Sequence, residues 1–176
     1  MIDWDELLRR EGTAVWRTAF RLVRNQADAD ECFQETFLAA LEVSARQSVG
    51  NWPALLQQLA TRRAIDRIRK RLRRRRYEEI ADLALAEGSA SDPSQPAESA
   101  ELTAALRWAL AQLPPQQVEM FCLHELEDWS CQQIADRMGM SANAVGVSLH
   151  RTRSKLQELL KMQGRLSCAL NKQRQI

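Results

Sequence analysis

Ten basic side chains and a single acid, Asp66, lie within residues 62–76 and give this segment a charge of +9. Arginine and lysine at this density bind phosphate groups, either through charge alone or through the paired hydrogen bonds of a guanidinium group. The alternative is a helix face that water solvates, but the density favours a nucleic-acid ligand. Residues 77–101 follow with seven acids and neither lysine nor arginine. We predict that this acidic segment masks the basic one in the free protein.

A second group of residues suited to nucleic-acid binding lies in the carboxy-terminal half. Ser130 has the position of an N-cap before a short helix that ends at Gly139, and Ser141 caps a longer helix after a tight turn. Two helices in this order predict a helix-turn-helix, whose second helix enters the major groove of DNA. Val145 and Leu149 fall on one face of that helix and should pack inward. The opposite face carries Asn143, Val147, His150, Arg151 and Ser154.

Helices must position the amino-terminal residues as well. Apolar residues recur there at helical spacing, and no alternation typical of strands competes with them. Asp28 and Glu31 have the spacing of a capping box, which predicts a helix start near Asp28. Asn51 is a suitable N-cap for the helix that runs into the arginines, with Pro53 tolerated in its first turn.

The carboxy-terminal half is also predicted to be helical before the helix-turn-helix. One helix is expected over Leu102–Leu113 and another over Val118–Leu126, because Pro114 and Pro115 stop the first of them. The fold class predicted for the whole chain is therefore all-α.

A stretch with two prolines and four serines, residues 89–99, has the composition of a flexible connector. It divides the chain of 176 residues into two small helical domains. The predicted divisions are a first domain over 1–80, an acidic linker over 81–101, a second domain over 102–161 and a short tail of unknown role over 162–176.

Composition limits the classes of function. Apolar residues form 45% of the chain, but no run of them could span a bilayer and the amino terminus is acidic, so we predict neither a membrane span nor a signal peptide. The four scattered cysteines predict a reduced, cytoplasmic protein without a disulfide framework. His124 lies between Cys122 and Cys131, but the spacing does not suit zinc and a fourth ligand is missing, so no metal or other cofactor is predicted. With two histidines and no phosphate-binding glycine loop, nucleophile elbow or HExxH motif, we predict that the protein is not an enzyme.

Several strings of residues, taken together and in this order, resemble the bacterial sigma factors of the extracytoplasmic-function (ECF) subgroup, two-domain members of the sigma-70 superfamily. Residues 27–37 are similar to an acidic segment of that family that ends in a Gln-Glu-Thr-Phe run. Residues 63–69 resemble the family's helix that reads the promoter −10 element. Residues 113–117, 134–135 and 149–153 resemble the domain that docks on the polymerase flap and reads the −35 element.

The resemblance implies a transcription initiation factor that binds RNA polymerase core, at the clamp helices of the largest subunit and at the flap, and also binds promoter DNA. The loop before the −10 helix, about Arg46–Asn51, would accept an unstacked base. An anti-sigma factor as a further partner is left open, and we expect a monomer when the protein is free.

The resemblance also assigns the site residues. The polymerase-binding set is Asp30, Glu31, Gln34 and Glu35. The −10 set is Arg62, Arg63, Asp66, Arg67, Arg69 and Lys70. The DNA phosphate set is Arg73, Arg74, Arg75 and Arg76. The −35 set is Ser141, Asn143, Val147, His150, Arg151 and Ser154.

Two other interpretations stay open. A stand-alone helix-turn-helix regulator would use only the carboxy-terminal half and would bind duplex DNA tightly without polymerase. A basic RNA-binding or scaffold protein would bind nucleic acid without sequence preference.

Overall fold

The structure, a computed structural model, describes the backbone of residues 2–81 and 97–173 and the side chains of residues 2–75 and 101–164. Over that backbone it contains seven α-helices and no strand, which confirms the all-α prediction. In chain order the helices are α1 (Trp4–Val23), α2 (Gln26–Arg46), α3 (Trp52–Ala81), α4 (Ala97–Gln112), α5 (Pro115–Leu126), α6 (Cys131–Met138) and α7 (Ala142–Gln173).

Helices α1, α2 and α3 form the first half, and each packs against the other two. The start predicted for α2 near Asp28 is wrong by two residues. Its N-cap is Asn25, whose side-chain oxygen accepts a hydrogen bond from the Asp28 amide at 2.9 Å. The start predicted for α3 is confirmed, since Asn51 Oδ1 accepts a hydrogen bond from the Ala54 amide at 3.0 Å and Pro53 lies in the first turn.

Helix α3 is 30 residues long and carries the basic segment. Leu56, Ala60 and Ala64 are fully buried at intervals of four residues, and Ile65 and Ile68 continue the buried face. Because this apolar face is fixed against the protein, the arginines of the same helix are held in defined directions.

In the second half, α4 begins at Ala97, so the last five residues of the predicted linker are helical. The central part of that linker, residues 82–96, lies outside the described residues. Helix α5 starts at Pro115 and not at Val118 as predicted, because proline is well suited to the first turn of a helix. Helix α7 continues to Gln173, so the predicted tail prolongs this helix over most of its length.

The helix-turn-helix has the predicted caps. Ser130 forms a complete capping box with Gln133 at the start of α6. Gly139 ends α6 in the left-handed region, at φ 67°, where glycine carries no side-chain penalty. Ser141 Oγ then accepts a hydrogen bond from the Ala144 amide at 3.2 Å at the start of α7.

The buried apolar residues form three clusters among the described side chains, and one of them is shared by the two halves. It joins Leu22, Ile65 and Ile68 of the first half to residues of the second half that include Leu113 and Val118. The other two clusters lie within the first half, around Leu56, and mainly within the helix-turn-helix, around Leu123 and Ile134. The two helical domains therefore pack against each other in this structure.

Candidate nucleic-acid interface

The exposed face of α7 is the first candidate surface. Val145 and Leu149 are 0% and 1% exposed, so the inner face of the helix is locked into the core of the helix-turn-helix. The outer face carries five exposed residues of the predicted −35 set, which confirms the two faces predicted for this helix: Asn143, Val147, His150, Arg151 and Ser154. Ser141 serves as the N-cap, and Ser154 Oγ donates a hydrogen bond to the His150 carbonyl at 3.1 Å. Asn143 and Arg151 are thus the members of the −35 set best able to offer hydrogen bonds to base edges.

The predicted −10 set lies on α3, and four of its six members are engaged within the protein. Arg62 Nη2 lies 3.0 Å from Glu119 Oε2, and Arg69 Nη2 donates a hydrogen bond to the Leu113 carbonyl at 2.8 Å. Asp66 pairs with Arg69, three residues further along the helix, at 3.7 Å. Lys70 is exposed and Arg63 is half-buried.

Arg67, the fourth engaged member, lies in a cluster of carboxylates from α2. Its guanidinium group contacts Glu31, with Glu35 at 3.4 Å and Asp28 at 4.0 Å, and the side chain is only 18% exposed. Burial disfavours the charged guanidinium, but the nearby carboxylates of Glu31 and Glu35 outweigh it and raise the pKa of Arg67 above its ordinary value. The predicted −10 and polymerase-binding sets are therefore joined through one ion cluster.

The predicted polymerase-binding set forms an exposed polar face on α2. All four members are exposed, and Trp16 Nε1 donates a hydrogen bond of 2.7 Å to the Asp30 carboxylate. The same helix exposes two large apolar residues that the sequence analysis did not assign to a site, Leu38 at 61% and Leu41 at 44%. Leu38 lies one turn after Gln34, so the surface has a polar and an apolar part. Helical spacing alone could not separate these leucines from the core.

The predicted phosphate set follows at the carboxy-terminal end of α3. Arg73, Arg74 and Arg75 are exposed, whereas the side chain of Arg76 lies outside the described residues. A run of exposed arginines on a helix supplies charge that suits phosphates more than bases.

A cavity of about 450 Å³ lies beside the loop predicted to accept an unstacked base. Its walls come from both halves, with Asn51 and Gln57 at the start of α3 facing Trp129, Gln133 and Arg137 of the second half. Over the described residues, there is no cluster of three or more metal-ligating side chains, and no helix is long and apolar enough to cross a membrane.

Comparison with known proteins matches both halves to one family. Residues 7–75 match the family model for sigma-70 region 2, and residues 103–156 match that for sigma-70, region 4. A sigma factor named RpoE, solved in complex with the anti-sigma factor NepR from Bartonella quintana, superposes with a TM-score of 0.53 at 25% identity, over 90% of this chain and 97% of that one.

Two curated relatives are more than 30% identical. The ECF RNA polymerase sigma factor SigE of Mycolicibacterium smegmatis is 31% identical over 160 residues, which are 91% of this chain and 62% of SigE, so the chain spans less than two thirds of that relative. The RNA polymerase sigma factor CarQ of Myxococcus xanthus is 32% identical over 158 residues, 89% of this chain and 88% of CarQ.

The order of the two matched regions agrees with the order of the two helical halves, and the second region contains the helix-turn-helix. Members of this family are transcription initiation factors and not catalysts themselves. The chain belongs to the sigma-70 family of RNA polymerase sigma factors and is similar over nine tenths of its length to ECF members of that family.

Proposed function

We propose that this protein binds RNA polymerase core and directs it to specific promoters, with α3 at the −10 element and α7 at the −35 element. The observation that carries the proposal is the outer face of α7, which exposes Asn143 and Arg151 from a helix whose inner face is buried. A helix seated in this way can enter the major groove without moving relative to its own domain. The proposed function requires the protein to bind polymerase core and promoter DNA and to position them, and it requires no chemical step.

The polymerase-binding surface we propose is the α2 face with Asp30, Glu31, Gln34 and Glu35, extended by the exposed Leu38. A surface with an apolar part and a polar rim has the composition of a protein interface. Since polymerase works in the cytoplasm, we place this protein there as well. The complex of RpoE with NepR supports an anti-sigma factor as a further class of partner.

Run-off transcription tests the proposal directly. Purified protein and core polymerase are combined on genomic promoter fragments, including the fragment upstream of the protein's own gene. We expect discrete transcripts only when both proteins are present. The absence of any protein-dependent transcript, together with tight duplex binding by the protein alone, would favour a stand-alone helix-turn-helix regulator.

Holoenzyme binding to matched and scrambled −35 duplexes separates base reading from positioning. Replacing Asn143 or Arg151 by alanine should cost about 1–3 kcal/mol on the preferred sequence and little on the scrambled one, if that residue contacts a base edge. Replacing Arg73 by alanine should instead lower the magnitude of the slope of log affinity against log salt by roughly 0.9 on both duplexes, as the loss of one phosphate contact does. Equal losses on both duplexes for Asn143→Ala and Arg151→Ala would show that α7 only positions the protein.

The polymerase surface is best tested at Gln34. Glu31 and Glu35 also hold Arg67, so changing them would disturb the packing of α2 on α3. Gln34→Lys adds a positive charge at the centre of the same surface and leaves that cluster intact, and it should weaken core binding in a pull-down titration. Gln26→Lys, an exposed change at the start of α2, is the matched control and should bind core normally.

A further inference from the structure

We infer that the cavity between the start of α3 and helix α6 binds a free adenine mononucleotide, whose phosphate group is bound by Arg137. The proposed function requires no small molecule, so this site would be an additional one. The cavity has a volume of about 450 Å³, within the range of about 300–1,000 Å³ in which proteins hold small-molecule ligands. Part of its wall is apolar, from Pro53, Ala54 and Trp129, and suits the flat ring of a base.

Arg137 of α6 is a half-buried cation in the cavity wall, and its pairing is incomplete. Its Nε atom is buried and has no hydrogen-bond partner among the described residues. Burial lowers the pKa of Arg137 below its ordinary value, and the nearby Glu119 carboxylate only partly opposes this effect. Both oxygens of that carboxylate already accept hydrogen bonds, from Gln58 Nε2 at 2.5 Å and from Arg62 Nη2 at 3.0 Å. A guanidinium group in this situation is suited to bind a phosphate that enters the cavity.

Three side-chain amides line the cavity in fixed orientations, those of Asn51, Gln57 and Gln133. Asn51 Oδ1 accepts a hydrogen bond of 3.0 Å from a backbone amide in the first turn of α3, and Gln133 Oε1 accepts one of 2.8 Å from the backbone amide of the α6 N-cap. Trp129 Nε1 donates to Gln57 Oε1 at 2.8 Å. Because these bonds orient the amides before a ligand arrives, ordering them on binding costs little entropy. An amide presents a donor beside an acceptor, which matches N7 and N6 of adenine.

A carboxylate next to the arginine limits which anion fits. Asp136 lines the same cavity, and its Oδ1 atom accepts a hydrogen bond from Gln132 Nε2 at 2.7 Å. A carboxylate accepts hydrogen bonds from ribose hydroxyl groups but repels a second phosphate. A free mononucleotide has a phosphate at one end only, whereas a nucleotide within a DNA strand has one on each side. The neighbouring charges of Asp136 and Arg137 therefore favour the free mononucleotide.

Isothermal titration calorimetry of the full-length protein with AMP tests this site, and we expect one AMP to bind per protein. Arg137→Ala should lower the affinity for AMP about tenfold, as expected for the loss of a hydrogen bond between charged groups. The matched control is Arg10→Ala, which removes an arginine of α1 that is 67% exposed and does not line the cavity. The control should bind AMP with wild-type affinity.

Adenosine separates binding in the cavity from non-specific binding of phosphate to the arginines of α3. Because adenosine has no phosphate, it should bind wild type about tenfold more weakly than AMP, and Arg137→Ala should not weaken it further. Ala54→Leu adds volume to the cavity wall from a different helix and should weaken AMP and adenosine alike. This second variant keeps the test conclusive if Arg137→Ala perturbs folding. Far-UV circular dichroism should show wild-type helix content in all variants.

Two results would overturn the site itself. The first is the absence of detectable binding at about 1 mM AMP. The second is an affinity for AMP that neither Arg137→Ala nor Ala54→Leu changes, which would assign the phosphate to the arginines of α3. GMP should bind more weakly than AMP, because guanine presents two acceptors at the edge where adenine presents a donor and an acceptor. GMP binding as tight as that of AMP would overturn the assignment to adenine.

A fluorescein-labelled, mixed-sequence single-stranded oligonucleotide tests DNA as the source of the nucleotide. Ala54→Leu should leave the affinity for this oligonucleotide unchanged, since the arginines of α3 lie outside the cavity. Weaker oligonucleotide binding by Ala54→Leu, together with unchanged binding of AMP, would assign the cavity to DNA and overturn the inference. Failure of run-off transcription with wild-type protein would count against the proposed function and leave these results unaffected.

Discussion

Replacing Arg67 by alanine should reduce the stability of the protein, and not only its affinity for DNA. As a member of the −10 set, Arg67 was expected to reach DNA from the surface of α3. The structure places it at 18% exposure, in contact with Glu31 and near Glu35 and Asp28. Its removal would leave the carboxylates of Glu31 and Glu35 without their cation, whereas Asp28 would keep Arg71 at 3.6 Å.

The magnitude follows from the exposure of the partners. Hydrogen bonds to charged groups contribute about 1.5–3 kcal/mol when shielded, and fully exposed ion pairs contribute about 0.2–1 kcal/mol. Arg67 is largely buried, whereas Glu31 is 57% exposed and Glu35 is 47% exposed. The contribution of these ion pairs to stability should therefore lie between the two limits. We expect a loss of about 2 kcal/mol in the free energy of unfolding, which corresponds to a urea midpoint lower by about 1 M for a slope near 2 kcal/mol per M.

Urea denaturation followed by circular dichroism measures this loss. Lys70→Ala is the matched control, because Lys70 belongs to the same predicted set on the same helix but is exposed. Its free energy of unfolding should stay within about 0.5 kcal/mol of wild type. If Arg67→Ala were as stable as Lys70→Ala, the carboxylate cluster would contribute nothing to the fold and the reasoning would be refuted.

Three further changes test other parts of the structure. Burial raises the pKa of the Glu127 carboxyl group above its ordinary 4.5, so the folded state binds the carboxyl proton more tightly than the unfolded state does. The stability that this protonation contributes is present at low pH and is lost as pH rises through the raised pKa. Glutamine does not titrate, so Glu127→Gln removes this loss. In urea titrations at a series of pH values from 4.5 upward, the free energy of unfolding of the variant minus that of wild type should therefore increase with pH. Gly139→Ala should cost about 1–2 kcal/mol because φ is 67° there, whereas Gly50→Ala, where φ is not positive, should cost less in the same titration. Ile134→Ala, at a fully buried position, should lower the free energy of unfolding by about 2–5 kcal/mol. At temperatures near the melting point of this variant, holoenzyme that contains it should bind the −35 duplex more weakly than wild-type holoenzyme. Unchanged binding at those temperatures would contradict a role for the core of the helix-turn-helix in holding α7.

The sequence by itself determined the all-α fold class, several of the helix ends and the family. The caps at Asn51, Ser130 and Ser141 and the terminating Gly139 depend on interactions within a few residues, so local residue types are sufficient to predict them. The two faces of α7 follow from helical periodicity for the same reason. The start of α2 was misplaced because Asn25 and Asp28 are both good N-caps, and the local pattern does not decide between them.

The tertiary structure alone decided which charged residues are free. Arg62, Arg67 and Arg69 are equivalent basic positions in the sequence, yet each has a different partner 32 to 57 residues away. Glu119 has no feature in the sequence that distinguishes it from exposed Glu125 on the same helix, but only Glu119 is buried against α3. Burial and ion pairing over such separations depend on how the helices pack, because a charge is stabilised by the groups that surround it in space and not by its neighbours in the chain.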